Sequence, residues 1–265
     1  MDTQQQKHYK VLLIGDSCTD KYHYGTCERL SSEAPVPVFK LLTTETKKGM
    51  VLNVEQNLRS FELSVDVITN DSSLITKERF IDQRSGQHLL RFDSGEDNPL
   101  VPLNLKMIEL DNYDCVAISD YNKGTLDYEN CLIISNLCVE KGKFLFVDSK
   151  KEDLSCFNNA IIKINEEERK KISNLPNKFE LITTLGPNGA SWNNQLFRGY
   201  QTEVFDVCGA GDTFFAALIS EFLRTNKIMP SIIFANKCAS ITVKHNGCYS
   251  LTDKDLREVK NGLRS

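Results

Sequence analysis

Short apolar runs alternate with longer amphipathic stretches along most of the chain. KVLLIGD (10–16), CVAISD (115–120), FLFVDSK (144–150), AIIKIN (160–165) and ELITTLG (180–186) are near-continuous in hydrophobicity and close on polar or glycine residues. Runs of that length and boundary predict buried strands. NVEQNLRSFE (53–62) and YENCLIISNLCVEKG (128–142) instead space their apolar residues as helices do. The last third predicts three more helices: 212–225, about 230–244 with Pro230 in its first turn, and 253–263. Strands alternating with helices predict an α/β sandwich around a mainly parallel sheet.

Two segments depart from this rhythm. APVPVFKL (34–41) is extended and carries prolines, which suits an edge strand. KERFIDQRSGQHLLRFD (77–93) alternates apolar and polar residues around Ser85-Gly86, predicting a β-hairpin. Together they predict a small projecting sheet, a lid or a dimer contact rather than a second domain. Residues 16–37 read mostly as loops, and Trp192 with the Asn-Asn after it reads as a hairpin. With no internal repeat or linker, residues 1–265 are expected to form a single domain.

Composition narrows the classes. The 265 residues are 40% hydrophobic and 26% charged, enough for a substantial core. A net charge of −4 lacks the broad basic footprint of a nucleic-acid binder. No apolar run approaches the roughly 20 residues of a membrane span, and MDTQQQKHYK has no apolar signal core. The nine cysteines are odd in number and form no C-x-x-C pair, and the four histidines are dispersed. Reduced thiols and a cytoplasmic location are therefore expected, without a disulfide framework or zinc site.

Ligands of such sheets collect at the carboxyl ends of the strands. The residues there include Asp16, Asp20, Asp120, Lys123, Asp148, Lys150, Asn165, Glu168 and Gly186, an ionisable cluster without a counterpart at the opposite ends. DVCGAGD (206–212) is the most suggestive stretch. Amides at a helix N-terminus attract anions, Gly209 and Gly211 let an anion approach the main chain, and Asp212 is placed to take a proton from an attacking hydroxyl. Alone, the same residues equally describe a tight turn followed by a stabilising first-turn acid. LLIGDS after the first strand lacks the G-x-G-x-x-G turn of dinucleotide enzymes.

DVCGAGDTFFAAL resembles the D-T-x-G-A-G-D signature of the ribokinase/PfkB sugar kinases. TLGPNGA (184–190), NEEE (165–168) and ANKCASITVKHNGCYS (235–250) resemble that family's nucleotide-side loop, its N-x-x-E element and the helix and turn beside its adenine pocket, in the family's order. GDSCTDKYHYGTCERLSSEAPVPVFKL (15–41), ITKERFIDQRSGQHLLRFD (75–93) and AISDYNKGTL (117–126) resemble the heptose 7-phosphate kinases within it. The resemblance implies a ribokinase-like three-layer α/β/α sandwich with a projecting β-sheet lid, its strands within about 34–41 and 77–93. Asp212 would be the base, and Gly209, Ala210 and Gly211 an anion hole. Asp16, Asp20, Gly49 and Asn53 would face the sugar, and Lys123 would neutralise an anionic group. Asn165 and Glu168 would order Mg²⁺ through water, and Thr184, Gly186, Gly189 and Asn236 would line the nucleotide site. Two departures stand out. Met50 replaces the second glycine of the family's G-G-x-x-N element, where a side chain could crowd the sugar or reshape its pocket. The stretches 68–76 and 170–177 are shorter than in the larger relatives.

The implied activity is that of an ATP- and Mg²⁺-dependent sugar kinase acting on the anomeric hydroxyl of D-glycero-D-manno-heptose 7-phosphate. Another sugar or sugar phosphate, or a silent sugar- or nucleotide-binding homologue, are the alternatives. The expected partners are the sugar phosphate and a second copy of the chain through the lid, with no nucleic acid or membrane.

Overall fold

The computed structural model describes residues 8–105, 107–245 and 247–262. Most of the polar N-terminal stretch, and the end of the last predicted helix at Leu263, lie outside them. Two sheets organise the chain. The larger has eight strands: β1 (Lys10–Gly15), β4 (Ser64–Thr69), β7 (Cys115–Asp120), β8 (Phe144–Ser149), β9 (Ala160–Asn165), β10 (Phe179–Thr184), β11 (Gly189–Trp192) and β12 (Gln195–Arg198). Their order is β12-β11-β10-β9-β8-β7-β1-β4. All pairings are parallel except the β10-β11-β12 meander at one edge.

The central strands read as unbroken hydrophobic runs because both their faces are covered, as parallel sheets require. Alternate residues of β1 divide between two cores. Val11 and Leu13 join the core formed with helices α1 (Val51–Ser60), α4 (Ala210–Thr225), α5 (Ile228–Thr242) and α6 (Asp253–Gly262). Leu12 and Ile14 join the core under α2 (Tyr128–Glu140). This is the expected three-layer α/β/α sandwich. The short helix α3 (Glu166–Lys171) follows β9 directly.

The second sheet is the lid, ordered β3-β2-β5-β6, where β2 is Ser17–Leu30, β3 Pro37–Met50, β5 Thr76–Asp82 and β6 His88–Ser94. The 77–93 hairpin forms as expected, and the proline-bearing strand lies at the sheet edge. The expectation of loops over 16–37 is corrected. Ser17–Leu30 is a fourteen-residue strand that pairs with β3 on one side and β5 on the other. Its faces are polar for different reasons. Cys18, Asp20 and Tyr22 point inward toward the body, while Lys21 and His23 point outward, where both reach Glu78. Such a strand has no apolar alternation to betray it.

Met50 occupies the turn from β3 into α1. Its backbone sits at φ 57 and ψ −128, a region that a side chain strongly disfavours, which explains why a glycine suits this turn into α1. The side chain lines neither of the clefts at the α4 head. It is buried with Cys18, Ile75 and Leu100 in a small cluster at the root of the lid.

Candidate active site

Helix α4 opens on a cleft at the carboxyl ends of β7, β8 and β9. Its N-cap, Gly209, adopts the left-handed conformation (φ 73), and no side chain caps the helix. A Cβ at Gly209 would stand 3.1 Å from the Asn53 amide nitrogen, and one at Gly211 would stand 3.2 Å from Lys163 Nζ. The left-handed backbone at Gly209 favours glycine, a side chain at Gly211 would displace the Lys163 ammonium, and the turn leaves the first amides of the helix at the cleft.

Asp212 is 8% exposed and sits at the third helical position. Asn53 Nδ2 donates to its Oδ2 at 2.6 Å, and the Tyr121 hydroxyl donates to its Oδ1 at 3.1 Å. Burial raises the carboxyl to about 6, against the downward pull of the Asn53 hydrogen bond. A buried acid tuned close to neutrality is suited to general-base work.

Facing Asp212 across the cleft are Asp148 and Lys163, paired at 2.7 Å, and Lys150, whose Nζ lies 4.1 Å from the centre of the Tyr121 ring. Burial alone would lower Lys163, but Asp148 beside it prevails and holds it protonated. Burial lowers Lys150. These groups line a cleft of about 180 Å³ together with Asn165, Glu168, Gly209 and Gly211. Lys150 and Asp148 follow from the strand-end argument. Lys163 and Tyr121 were not singled out, and the available signal was a lysine set inside the otherwise apolar run AIIKIN.

Asn165 and Glu168 bond reciprocally. The Glu168 amide donates to Asn165 Oδ1, and the Asn165 amide to Glu168 Oε2, each at 2.8 Å. The N-x-x-E spacing is thus a capping box for α3 at the cleft rim. Among the described residues no three His, Cys, Asp or Glu side chains gather to bind a metal directly. The oxygens of Glu168 and Asn165 instead suit the outer, water-mediated shell of Mg²⁺, which keeps several waters and binds mainly through substrate phosphates.

A second cleft of about 390 Å³, mostly apolar, lies on the other side of the α4 head. Thr184, Gly186, Gly189 and Asn236 line it, with Tyr200 and Val243. Thr184 Oγ1 donates to the Ile164 carbonyl, and Asn236 Nδ2 to the Phe197 carbonyl, so both side chains also brace the wall they form. Gly211 lines both clefts.

The sugar-side residues divide. Asn53 lies on Asp212. Gly49 lies against the Asp20 carboxylate, which pairs with Arg79 at 2.5 Å. Asp16 is placed elsewhere: fully buried, it accepts the backbone amides of Tyr121, Lys123 and Thr125 at 2.8, 3.1 and 3.2 Å. Its oxygens hold the 121–125 turn and do not open onto the cleft. The Lys123 ammonium is taken by Glu96 at 2.8 Å, outside the set around Asp212. Cys208 and Cys248 meet beside Gly209 with their sulfurs 3.1 Å apart.

The model of the pfkB family of carbohydrate kinases matches residues 54–255. The bifunctional protein HldE of Sulfurimonas denitrificans is 26% identical over 96% of this chain, and that of Helicobacter pylori strain J99 is 29% identical over 95%. The chain spans 65–66% of the length of these curated relatives. Among solved structures, ribokinase from Arabidopsis thaliana, complexed with ribose and ATP, superposes with a TM-score of 0.72 at 13% identity, covering 96% of this chain and 99% of its own. Phosphofructokinase-2 from Escherichia coli superposes with a TM-score of 0.74 at 15% identity, covering 98% of this chain and all of its own. The fold is thus ribokinase-like, and the chain belongs to the pfkB family of carbohydrate kinases, which are sugar phosphotransferases.

Proposed function

We propose that this kinase transfers the γ-phosphoryl group of ATP to the anomeric hydroxyl of D-glycero-D-manno-heptose 7-phosphate, giving the 1,7-bisphosphate. The observation that carries the reading is the position of the α4 head. Gly211 lines both the polar cleft that holds Asp212 and the apolar cleft suited to an adenosine group. Donor and acceptor substrates would meet at that one turn. The choice of heptose rests on the HldE relatives and on the subgroup stretches of the lid.

Asp212 would take the proton of the attacking hydroxyl, while Asn53 and Tyr121 hold its carboxylate in place. The amides of Gly209, Ala210 and Gly211 would receive the charge developing on the transferred group. Lys163 and Lys150 would balance that charge from the opposite wall. Asn165 and Glu168 would hold the waters of a bound Mg²⁺, which would add neutralisation of the ATP phosphates. The lid would exclude bulk water, which otherwise competes as acceptor.

The chain would act as one domain and in the cytoplasm; no helix among the described residues is long and apolar enough to cross a membrane. Leu41, Leu42, Leu90 and Phe92 of the lid are 49–59% exposed, an apolar face that suits a second copy of the chain.

The test is Mg²⁺–ATP turnover against a panel of sugars and sugar 1-, 6- and 7-phosphates. Turnover of the heptose 7-phosphate above the other acceptors supports the reading. Preference for another acceptor moves the substrate, and binding without turnover of any acceptor makes the chain a silent homologue.

A further inference from the structure

The inner face of the lid carries more positive charge than a neutral sugar needs. Strand register sets that face: Asp20 lies opposite Lys47 on β3 and Lys77 on β5, and Tyr22 lies opposite Arg79. Cross-strand partners share a face, so Lys47, Lys77 and Arg79 stand with Asp20 and Tyr22 on the side toward the body. Most of these cations are already neutralised. Arg79 pairs with Asp20, Lys77 and Lys123 share Glu96, and Arg91 pairs with Asp93. On the cleft wall, Lys163 pairs with Asp148.

Two cations are left over. Among the described residues, Lys150 and Lys47 make no ion pair, and each lies over a tyrosine ring instead: Lys150 over Tyr121, and Lys47 over Tyr22 at 5.1 Å. Lys150 lines the cleft with Asp212, at the transfer end. Lys47 lies on the lid, outside the residues that line this cleft, and is joined to it by a chain of contacts. Asn53 bonds Asp212. Gly209 lies between Asn53 and Cys248, and the Tyr22 hydroxyl reaches Cys248 Sγ at 4.0 Å. Lys47 is two strand residues from Gly49, about 7 Å along β3. Glu45, opposite Tyr22, is the remaining acid on this stretch of β3, and it forms no pair with Lys47. The Arg79 guanidinium lies 5.0 Å from the same Tyr22 ring and offers N–H groups beyond the one given to Asp20.

We propose that Lys47, with Arg79 beside Tyr22, forms a phosphate-recognition subsite on the lid that selects sugar phosphates over neutral sugars. It takes a phosphate monoester already present on the acceptor, at the end remote from the hydroxyl being phosphorylated. One unpaired cation then serves each phosphate: Lys150 the one in transfer, Lys47 the one already in place. The assignment rests on the sugar-kinase reading above but not on the identity of the sugar.

The test compares wild type with Lys47→Met and Lys47→Arg. Lys47 is partly exposed near the lid edge, so neither change threatens the fold. Initial rates and calorimetric binding are measured with D-glycero-D-manno-heptose 7-phosphate and with the unphosphorylated heptose. Loss of a charge-assisted contact should raise KM, or Kd, for the phosphate about 10- to 100-fold. The kcat should change less than threefold, the preference for phosphate over free sugar should collapse by the same factor, and arginine should restore most of it. Turnover of the 7-phosphate with an unchanged KM in Lys47→Met overturns the subsite and leaves the kinase reading standing. Binding that depends on Lys47 without any turnover overturns the kinase reading and keeps the subsite. A wild type that binds both sugars equally, or neither, overturns the subsite.

Discussion

The Asn53 amide donates to the Asp212 carboxylate at 2.6 Å and so joins two helices whose residues stand 159 positions apart in sequence. Asn53 belongs to the first turn of α1, which leaves the lid directly, and Asp212 to the first turn of α4. The contact couples the sugar-side wall to the proposed base. It also opposes the burial that raises the acid.

Replacing Asp212 with asparagine should cost 10²- to 10⁴-fold in kcat and should also stabilise the fold at neutral pH. Folding raises this carboxyl from 3.8 to about 6, so the native state favours the protonated form. That contribution is full below pH about 4 and is lost as pH rises through 6, leaving the ionised group to cost about 3 kcal/mol above pH 7. Asp212→Asn removes the cost. Thermal melts should show a higher Tm than wild type at pH 8, with the difference shrinking toward zero near pH 4.

For the wild-type enzyme, kcat/KM should fall on an acidic limb centred near pH 6, where Asp212 protonates. Asn53→Ala removes a hydrogen bond that favours the ionised form. Its pH–rate profile should show the limb displaced upward, with a plateau about tenfold lower. An unmoved limb would show that Asp212 is not the group being read.

Lys163→Met leaves Asp148 facing the cleft without its partner. The side chains are 6% and 14% exposed, so the loss should approach the 3–5 kcal/mol typical of breaking a buried pair. Urea denaturation should register that loss, and adding Asp148→Asn should recover most of it.

Met50→Gly tests the strained turn. Deleting a buried methionine side chain ordinarily costs at least 2–5 kcal/mol, but relief of the φ 57 backbone should return about 1–3 of them. A net loss of no more than about 4 kcal/mol is expected by denaturant titration.

The sequence made the sandwich legible because its central strands are apolar on both faces and its helices keep their spacing. It also made the DVCGAGD turn legible, since glycines and an acid at the head of an apolar helix conflict with helix stability unless they serve something. The lid strand β2 was not legible. Its buried inner side mixes Cys18 and Tyr22 with Asp20, and Lys21 and His23 on the outer side meet Glu78, so neither side presents a continuous apolar stripe. Lys163 escaped for a different reason. Its partner Asp148 stands opposite it only because β8 and β9 pair in that register, and register between separate strands is not written in either run alone. Asp16 and Lys123 carry the right chemistry at strand ends, yet backbone amides and Glu96 claim their charged groups.

One residue, Asp16, separates the last residue of β1 from the first of β2, and β3 runs into α1 without any intervening loop. The Val51 amide donates to the Asp16 carbonyl at 2.9 Å, so the two crossings are tied to each other. The lid is in effect a long plate clamped along one short edge, since fourteen residues of β2 extend over about 45 Å. Any swing of such a plate turns about the clamp, and displacement grows with distance from it. Gly49, beside the pivot, would stay nearly still, whereas Lys47 would travel further and the tip around Pro37 furthest. The geometry thereby gives the lid a fixed root beside the proposed base and a tip that would move to admit acceptors of different length.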